Sequence, residues 1–165
     1  MKIAIFLAAV AVALPFVIGQ VANGIGPEVA ARFLERDSYK AEGLRHFVKS
    51  EPDQARGYAY PVLFPLDLLF MIFLGGFLAI ASMASAESIP WLRGFAWAFV
   101  VAPAAYVASD LVEDVLLARM LTSLDVISES SVGWARTMTL LKFATSIIAI
   151  LQTIALSALS LWYGR

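Results

Sequence analysis

Residues 97–119, WAFVVAPAAYVASDLVEDVLLAR, make an apolar stretch of membrane length with three carboxylates near one end. At about 100° per residue, Tyr106, Asp110, Glu113 and Asp114 fall within roughly a quarter to a third of a helix circumference, so the acids share one face with a phenol one turn before them. An ionised acid at the centre of a membrane helix costs about 2.5–3.5 kcal/mol on insertion scales, and such residues face a bundle interior or a wet cavity. This face has to look into protein, and the rest of the chain must supply that protein.

The span centred here covers residues 95–120, with Pro103 near its middle. Before it, YPVLFPLDLLFMIFLGGFLAIASMA (residues 60–84) is a second span, with Pro61 and Pro65 in its first turns, where missing N–H groups matter least. Gly75 and Ala79 form a small-xxx-small pair suited to close helix packing. After it, residues 137–163 form the last span. There Lys142, Thr145, Ser146, Ala149, Gln152 and Thr153 recur at spacings of three and four and make a small, hydrogen-bonding face expected to pack inward. At the other end of the chain, residues 3–22 (IAIFLAAVAVALPFVIGQVA) reach about 30 Å at the helical rise and match the hydrocarbon core, with Pro15 as an expected kink. The basic start, the apolar run and the residues Val17 and Gly19 also fit a signal peptide cleaved after Gly19. The helix reading is adopted. Four spans in one domain, residues 1–165, set the expected fold class: an all-α membrane protein, a four-helix transmembrane bundle with a polar, partly helical first loop.

Composition agrees with this. The chain is 61% hydrophobic and 15% charged, against about 25% charged residues in soluble domains. A net charge of −1 without a basic stripe excludes nucleic acid as a partner. The absence of cysteine removes thiol nucleophiles, disulfides and iron–sulfur clusters. The single histidine, His46, leaves no histidine pair for zinc, no di-iron carboxylate site and no bis-histidine haem. Serines near the end of the last span lack a histidine or an unengaged base, and Gly24-x-Gly26 follows no strand, so neither nucleophilic catalysis nor nucleotide binding has its machinery. No catalytic residue, cofactor or metal is assigned. Carboxylate oxygens would suit Mg²⁺ or Ca²⁺, but no metal-loop spacing is present.

Residues 23–59 are the one sizeable hydrophilic stretch. Arg32, Arg36, Lys40, Arg45, Lys49 and Arg56 are matched there by Glu28, Glu35, Asp37, Glu42, Glu51 and Asp53. One or two short amphipathic helices are expected, capping the bundle or lying on the membrane surface, with a helical pattern opening at Pro27 and Glu28 and placing Val29, Phe33 and Leu34 on one side. Residues 85–93 make a short turn. A second hydrophilic connection, residues 121–136, holds Asp125, Glu129 and Gly133. Trp91, Trp162 and Tyr163 mark one membrane interface, and Tyr58, Tyr60 and Trp134 the other.

Alternating spans put the start of the second, the end of the third and the start of the fourth on one membrane side. Counted from Tyr60, Arg119 and Arg136, the residues Asp67, Glu113 and Lys142 each lie about 9–10 Å inward at the helical rise. Asp110 is one turn deeper and Asp114 slightly shallower. The expected site is therefore a buried polar cluster of Asp67, Tyr106, Asp110, Glu113, Asp114 and Lys142, with Arg56 folding in from the loop. Four acids facing one lysine would leave about −3 in a low-dielectric setting if all were ionised. Three remedies exist: Arg56 or Arg45 folds in, a cation binds, or protons stay on the acids.

Orientation signals conflict. The two longer connections carry eight Lys and Arg residues, counting Arg119 and Arg136, against Lys2, Arg93 and Arg165 on the other side. Lys2, however, flanks the first span directly, while no base follows that span until Arg32. A cytoplasmic N-terminus is the reading adopted.

The pattern Arg56-Gly57-Tyr58 before Phe64-Pro65-x-Asp67, then Asp110-x-x-Glu113-Asp114, then Thr139-x-x-Lys142, resembles a group of uncharacterised small four-span bacterial membrane proteins. In that group the third-helix motif usually reads Asp-x-x-Glu-Asn, and Asp114 stands here in place of the Asn. The resemblance covers about residues 56–142 and implies the four-helix fold and a shared polar cluster, with no activity attached. The expected function is that of a non-enzymatic accessory, assembly or lipid-binding protein of a bacterial inner membrane. Its expected partners are membrane lipids and other membrane subunits or a second copy of itself. The alternative is a small oligomeric transporter, or an ion- or proton-handling protein, using the intramembrane carboxylates. Four helices with no inverted repeat and no broken helix pair argue against a complete monomeric transporter.

Overall fold

Long aliphatic runs broken by few prolines favour helices. The computed structural model, which describes residues 2–26 and 40–163, is helical almost throughout with no strand among those residues. The helical pattern expected from Pro27 onward, with Val29, Phe33 and Leu34, lies outside the described residues. Helix α1 is Lys2–Ile25, α2 Ala41–Ser50 and α3 Pro52–Gly57; a distorted segment, Tyr58–Asp67, leads into α4, Leu68–Glu87. A tight 3₁₀ segment, Arg93–Val100, precedes α5, Val101–Thr122, and the turn Leu124–Val126 precedes α6, Glu129–Tyr163. Four stretches are long and apolar enough to cross a membrane: Lys2–Ile25, Pro52–Glu87, Arg93–Thr122 and Glu129–Tyr163.

Two of these begin earlier than the hydropathy indicates, at Pro52 and at Glu129. Hydropathy marks where the apolar run starts, whereas a helix starts where its first N–H groups find acceptors. At α6 those acceptors are serines. Ser131 N–H donates to Ser128 Oγ at 3.0 Å and Ser128 N–H donates back to Ser131 Oγ at 2.9 Å, a reciprocal cap. The second hydrophilic connection is thus mostly helix.

Pro61 and Pro65 do more than open a helix. Tyr60 (φ −140°, ψ 112°) and Phe64 (φ −125°, ψ 115°) are extended, so the stretch Pro52–Glu87 is interrupted twice just before Asp67. Each residue precedes a proline, whose ring excludes its neighbour from the α region. The expectation of an unbroken helix from residue 60 is corrected on this point.

Helix α2 buries Ala41, Leu44, Phe47 and Val48, the three-and-four spacing of a single apolar face, and turns Glu42, Arg45, His46 and Lys49 outward. It joins Tyr58, Val62, Leu117, Leu121 and Val132 in one apolar cluster at the end of the molecule that carries the longer connections. Tyr58, expected at a membrane interface, is buried in this cluster, whereas Tyr60 and Trp134 are exposed. A smaller cluster of Ala86, Ile89, Ala96 and Leu156 closes the other end, where Trp91, Trp97 and Trp162 are exposed.

Between these clusters, α5 packs against α4 and α6 and reaches α3 and Tyr58–Asp67. Helix α1 packs on α4 and Tyr58–Asp67, with Phe6 edge to face on Phe73 at 6.0 Å between ring centres. It buries only Ala11 and Ala22, which places it at the periphery. Helix α5 is central, and its charged face is the one that is covered.

Candidate functional site

The face expected on α5 is buried: Tyr106, Asp110, Glu113 and Asp114 all lie within the protein, Asp110 at 2% and Asp114 at 1% exposure. What covers Asp110 and Glu113 is α6. Lys142 Nζ lies 2.8 Å from Asp110 Oδ1 and 2.5 Å from Glu113 Oε2, and one turn earlier on α6 the Thr139 hydroxyl donates to Glu113 Oε1 at 2.5 Å. Glu113 is thereby held through both oxygens. The same hydroxyl lies 3.0 Å from the Ala135 carbonyl, so its one proton is shared in a three-centre arrangement against its own helix.

Asp67 comes from the other side, at the end of the interrupted segment Tyr58–Asp67. One oxygen from each of Asp67, Asp110 and Asp114 lies within 4.8 Å of the other two. The i, i+4 spacing of Asp110 and Asp114 puts both on one face of α5, and the two extended residues before Asp67 set the approach of the third acid. Asp114 Oδ2 is buried with no hydrogen-bond partner, and Asp67 is half-buried.

Arg56 is not part of this group. It is exposed, because the inward face of the short helix α3 is spent on Ala55. Arg45 does not fold in either. Its guanidinium Nη2 donates to the Ile127 carbonyl, tying α2 to the connection before α6. The compensation expected from Arg56 and Arg45 is therefore directed elsewhere, and Lys142 pairs with two of the acids, Asp110 and Glu113. His46 is exposed on the outer face of α2.

A second polar set lies farther along the same face of α6. Gln152 Nε2 donates to the Phe99 carbonyl at 2.7 Å and to Ser82 Oγ at 3.2 Å, and Ser82 Oγ and Thr153 Oγ1 are 2.8 Å apart. The Phe99 carbonyl belongs to the 3₁₀ segment that precedes α5, where backbone hydrogen bonding changes register. Gln152 and Thr153 are legible as part of the small polar stripe. Ser82 is not, because one serine in an apolar helix carries no periodic signal.

What the arrangement can do chemically is limited and specific. Carboxylates, one ammonium and hydroxyls offer hydrogen bonding, ion pairing and hard oxygen ligation. Lys142 is held by Asp110 and Glu113, and the Thr139 hydroxyl is held by Glu113. No family model, no curated protein and no solved structure matches this chain.

Proposed function

We propose that this chain is an integral protein of a bacterial inner membrane. Its four long helices form a transmembrane bundle with a cytoplasmic N-terminus, and it acts without catalysis, as an accessory, assembly or lipid-binding subunit. The observation that carries this reading is the closure of the lysine site: Lys142 is gripped by Asp110 and Glu113, and Glu113 is gripped again by Thr139. A lysine held this way locks the register of the two central helices and is not available as a base. The outward surfaces suit lipid: Phe16, Leu140, Ile147, Leu151 and Ile154 are exposed along the long helices. Exposed Trp91, Trp97 and Trp162 at one end, and Tyr60 and Trp134 at the other, have the amphipathic chemistry of headgroup level.

Because the chain has no cysteine, single cysteines report topology without background. Replacements at Asp53 and Asp125 are expected to react with an impermeant maleimide from one side of the membrane, and those at Lys2 and Glu87 from the other. Function is tested by reconstituting the purified chain in liposomes and following proton and cation flux. Flux at the level of empty vesicles is the expected result. Flux that vanishes in Asp114→Asn would replace this reading with that of a transporter.

A further inference from the structure

Lys142 neutralises one end of the carboxylate group and not the other. Its ammonium is shared between Asp110 and Glu113, while Asp67 and Asp114 make no ion pair with it. Asp114 is 1% exposed and its Oδ2 has no hydrogen-bond partner. A buried carboxyl group is otherwise paired, keeps its proton or coordinates a metal. Asp114 is aimed at the place where Asp67 and Asp110 each present an oxygen, all three within 4.8 Å of one another.

We infer that Asp67, Asp110 and Asp114 form a binding site for a hard, oxygen-seeking divalent cation, of the class of Ca²⁺ and Mg²⁺, set beside the Lys142 ion pair. The ligand set decides the class: three carboxylates, with neither nitrogen nor sulfur, suit alkaline-earth ions over zinc or copper. Mg²⁺ and Ca²⁺ both take hard oxygen ligands, and three oxygens within 4.8 Å of one another can close on either ion. Asp110 can serve both neighbours because its carboxylate has a second oxygen besides the one Lys142 holds. The site is assembled from two separate elements, which is why the chain carries no contiguous metal-loop spacing. This goes beyond the accessory role: cation binding without flux leaves that role intact, and flux would overturn it without touching the site.

The test uses the full chain in detergent, with Tb³⁺ as an oxygen-binding probe whose emission is excited through nearby phenols. Tyr106, buried one turn before Asp110, is in place to sensitise it. Wild type is expected to show saturable emission that Ca²⁺ displaces. Asp114→Asn and Asp67→Asn are each expected to weaken Tb³⁺ binding at least about tenfold, the scale seen when a partner of a bound metal is removed. Asp125→Asn, at an exposed acid remote from the cluster, is expected to bind as wild type does. Both aspartate variants leave the Lys142 pairs untouched, and if one fails to fold the other decides. Absence of saturable emission in wild type, or unchanged affinity in the folded variants, overturns the site.

Discussion

A Cβ placed on Gly75 would lie 2.2 Å from Cγ2 of Val107, so helices α4 and α5 approach as closely as they do only because residue 75 has no side chain. The small residue suited to packing is consumed inside the chain and does not serve as a surface for a partner. Valine is nearly locked at χ1 in a helix, so Val107 cannot turn away cheaply. Gly75→Ala is expected to destabilise by about 1–3 kcal/mol, the usual cost of overpacking. Gly76→Ala is the control: its added Cβ would meet only Leu7 Cδ1, at 3.7 Å, and little change is expected. Thermal unfolding of the two variants in the same detergent separates them, and equal stability would contradict the close approach.

Lys142→Met leaves Asp110 and Glu113 buried and without their ammonium. Removing one partner of a buried pair costs about 3–5 kcal/mol, and the 21% exposure of the lysine side chain places the expected loss at the lower end. Asp110→Asn is expected to cost less, since Lys142 keeps Glu113. In the double variant Lys142→Met with Asp110→Asn, part of the loss should be recovered, because one of the stranded charges is gone. A double variant no more stable than Lys142→Met alone would mean that Lys142 and Asp110 are not coupled.

Gln152→Leu removes the donor that serves the Phe99 carbonyl and Ser82. Stranding a fully buried acceptor costs about 1–3 kcal/mol, hydrogen bonds between membrane helices average about 0.6 kcal/mol, and the bonds of Gln152 are part-buried. The carbonyl sits in a 3₁₀ segment, where its bonding within the helix is poorer, so a loss of about 1–2 kcal/mol is expected. Hydrogen exchange should rise locally over Arg93–Val100. Faster exchange spread evenly over α5 and α6 would point instead to a global effect.

Phe47, 3% exposed, anchors α2 to the end of the molecule that carries the longer connections. Phe47→Ala is expected to cost about 3–5 kcal/mol at that site, with the loss capped by the free energy of detaching α2 alone. Protease cleavage near residues 40–51 should then appear under conditions where α4, α5 and α6 stay intact. Cleavage of the long helices at the same rate would show that α2 is integral to the whole fold.

Much of this architecture is legible in the amino-acid order. Long apolar runs predict four helices of membrane length, because composition and length are one-dimensional properties. The i, i+4 spacing of Asp110 and Asp114, with Glu113 between, predicts one charged face, because the helical repeat is fixed. Counting residues inward from Tyr60, Arg119 and Arg136 puts Asp67, Glu113 and Lys142 at a common depth, and the structure brings Lys142 to Asp110 and Glu113. The cap of α6 was also readable, in Ser128-x-x-Ser131, though it lies in a stretch that hydropathy assigns to a connection.

Other features depend on which elements touch, and no local pattern encodes that. Arg56 and Arg45 look alike in sequence as compensating charges. The packing of α2 and α3 leaves Arg56 exposed and sends the Arg45 guanidinium to the Ile127 carbonyl. Tyr58 reads as an interface aromatic and is buried, because it belongs to the apolar cluster at that end of the molecule. The prolines before Asp67 announce a disturbance, yet only the folded backbone shows that Tyr60 and Phe64 are extended. By itself, then, the sequence determined the four apolar spans and the face that carries charge, since these follow from solvation and helical periodicity, but not where each helix begins. The tertiary structure alone decided which acids share the lysine and which are left without it, since helix adjacency and rotation are set by packing between residues far apart in the chain.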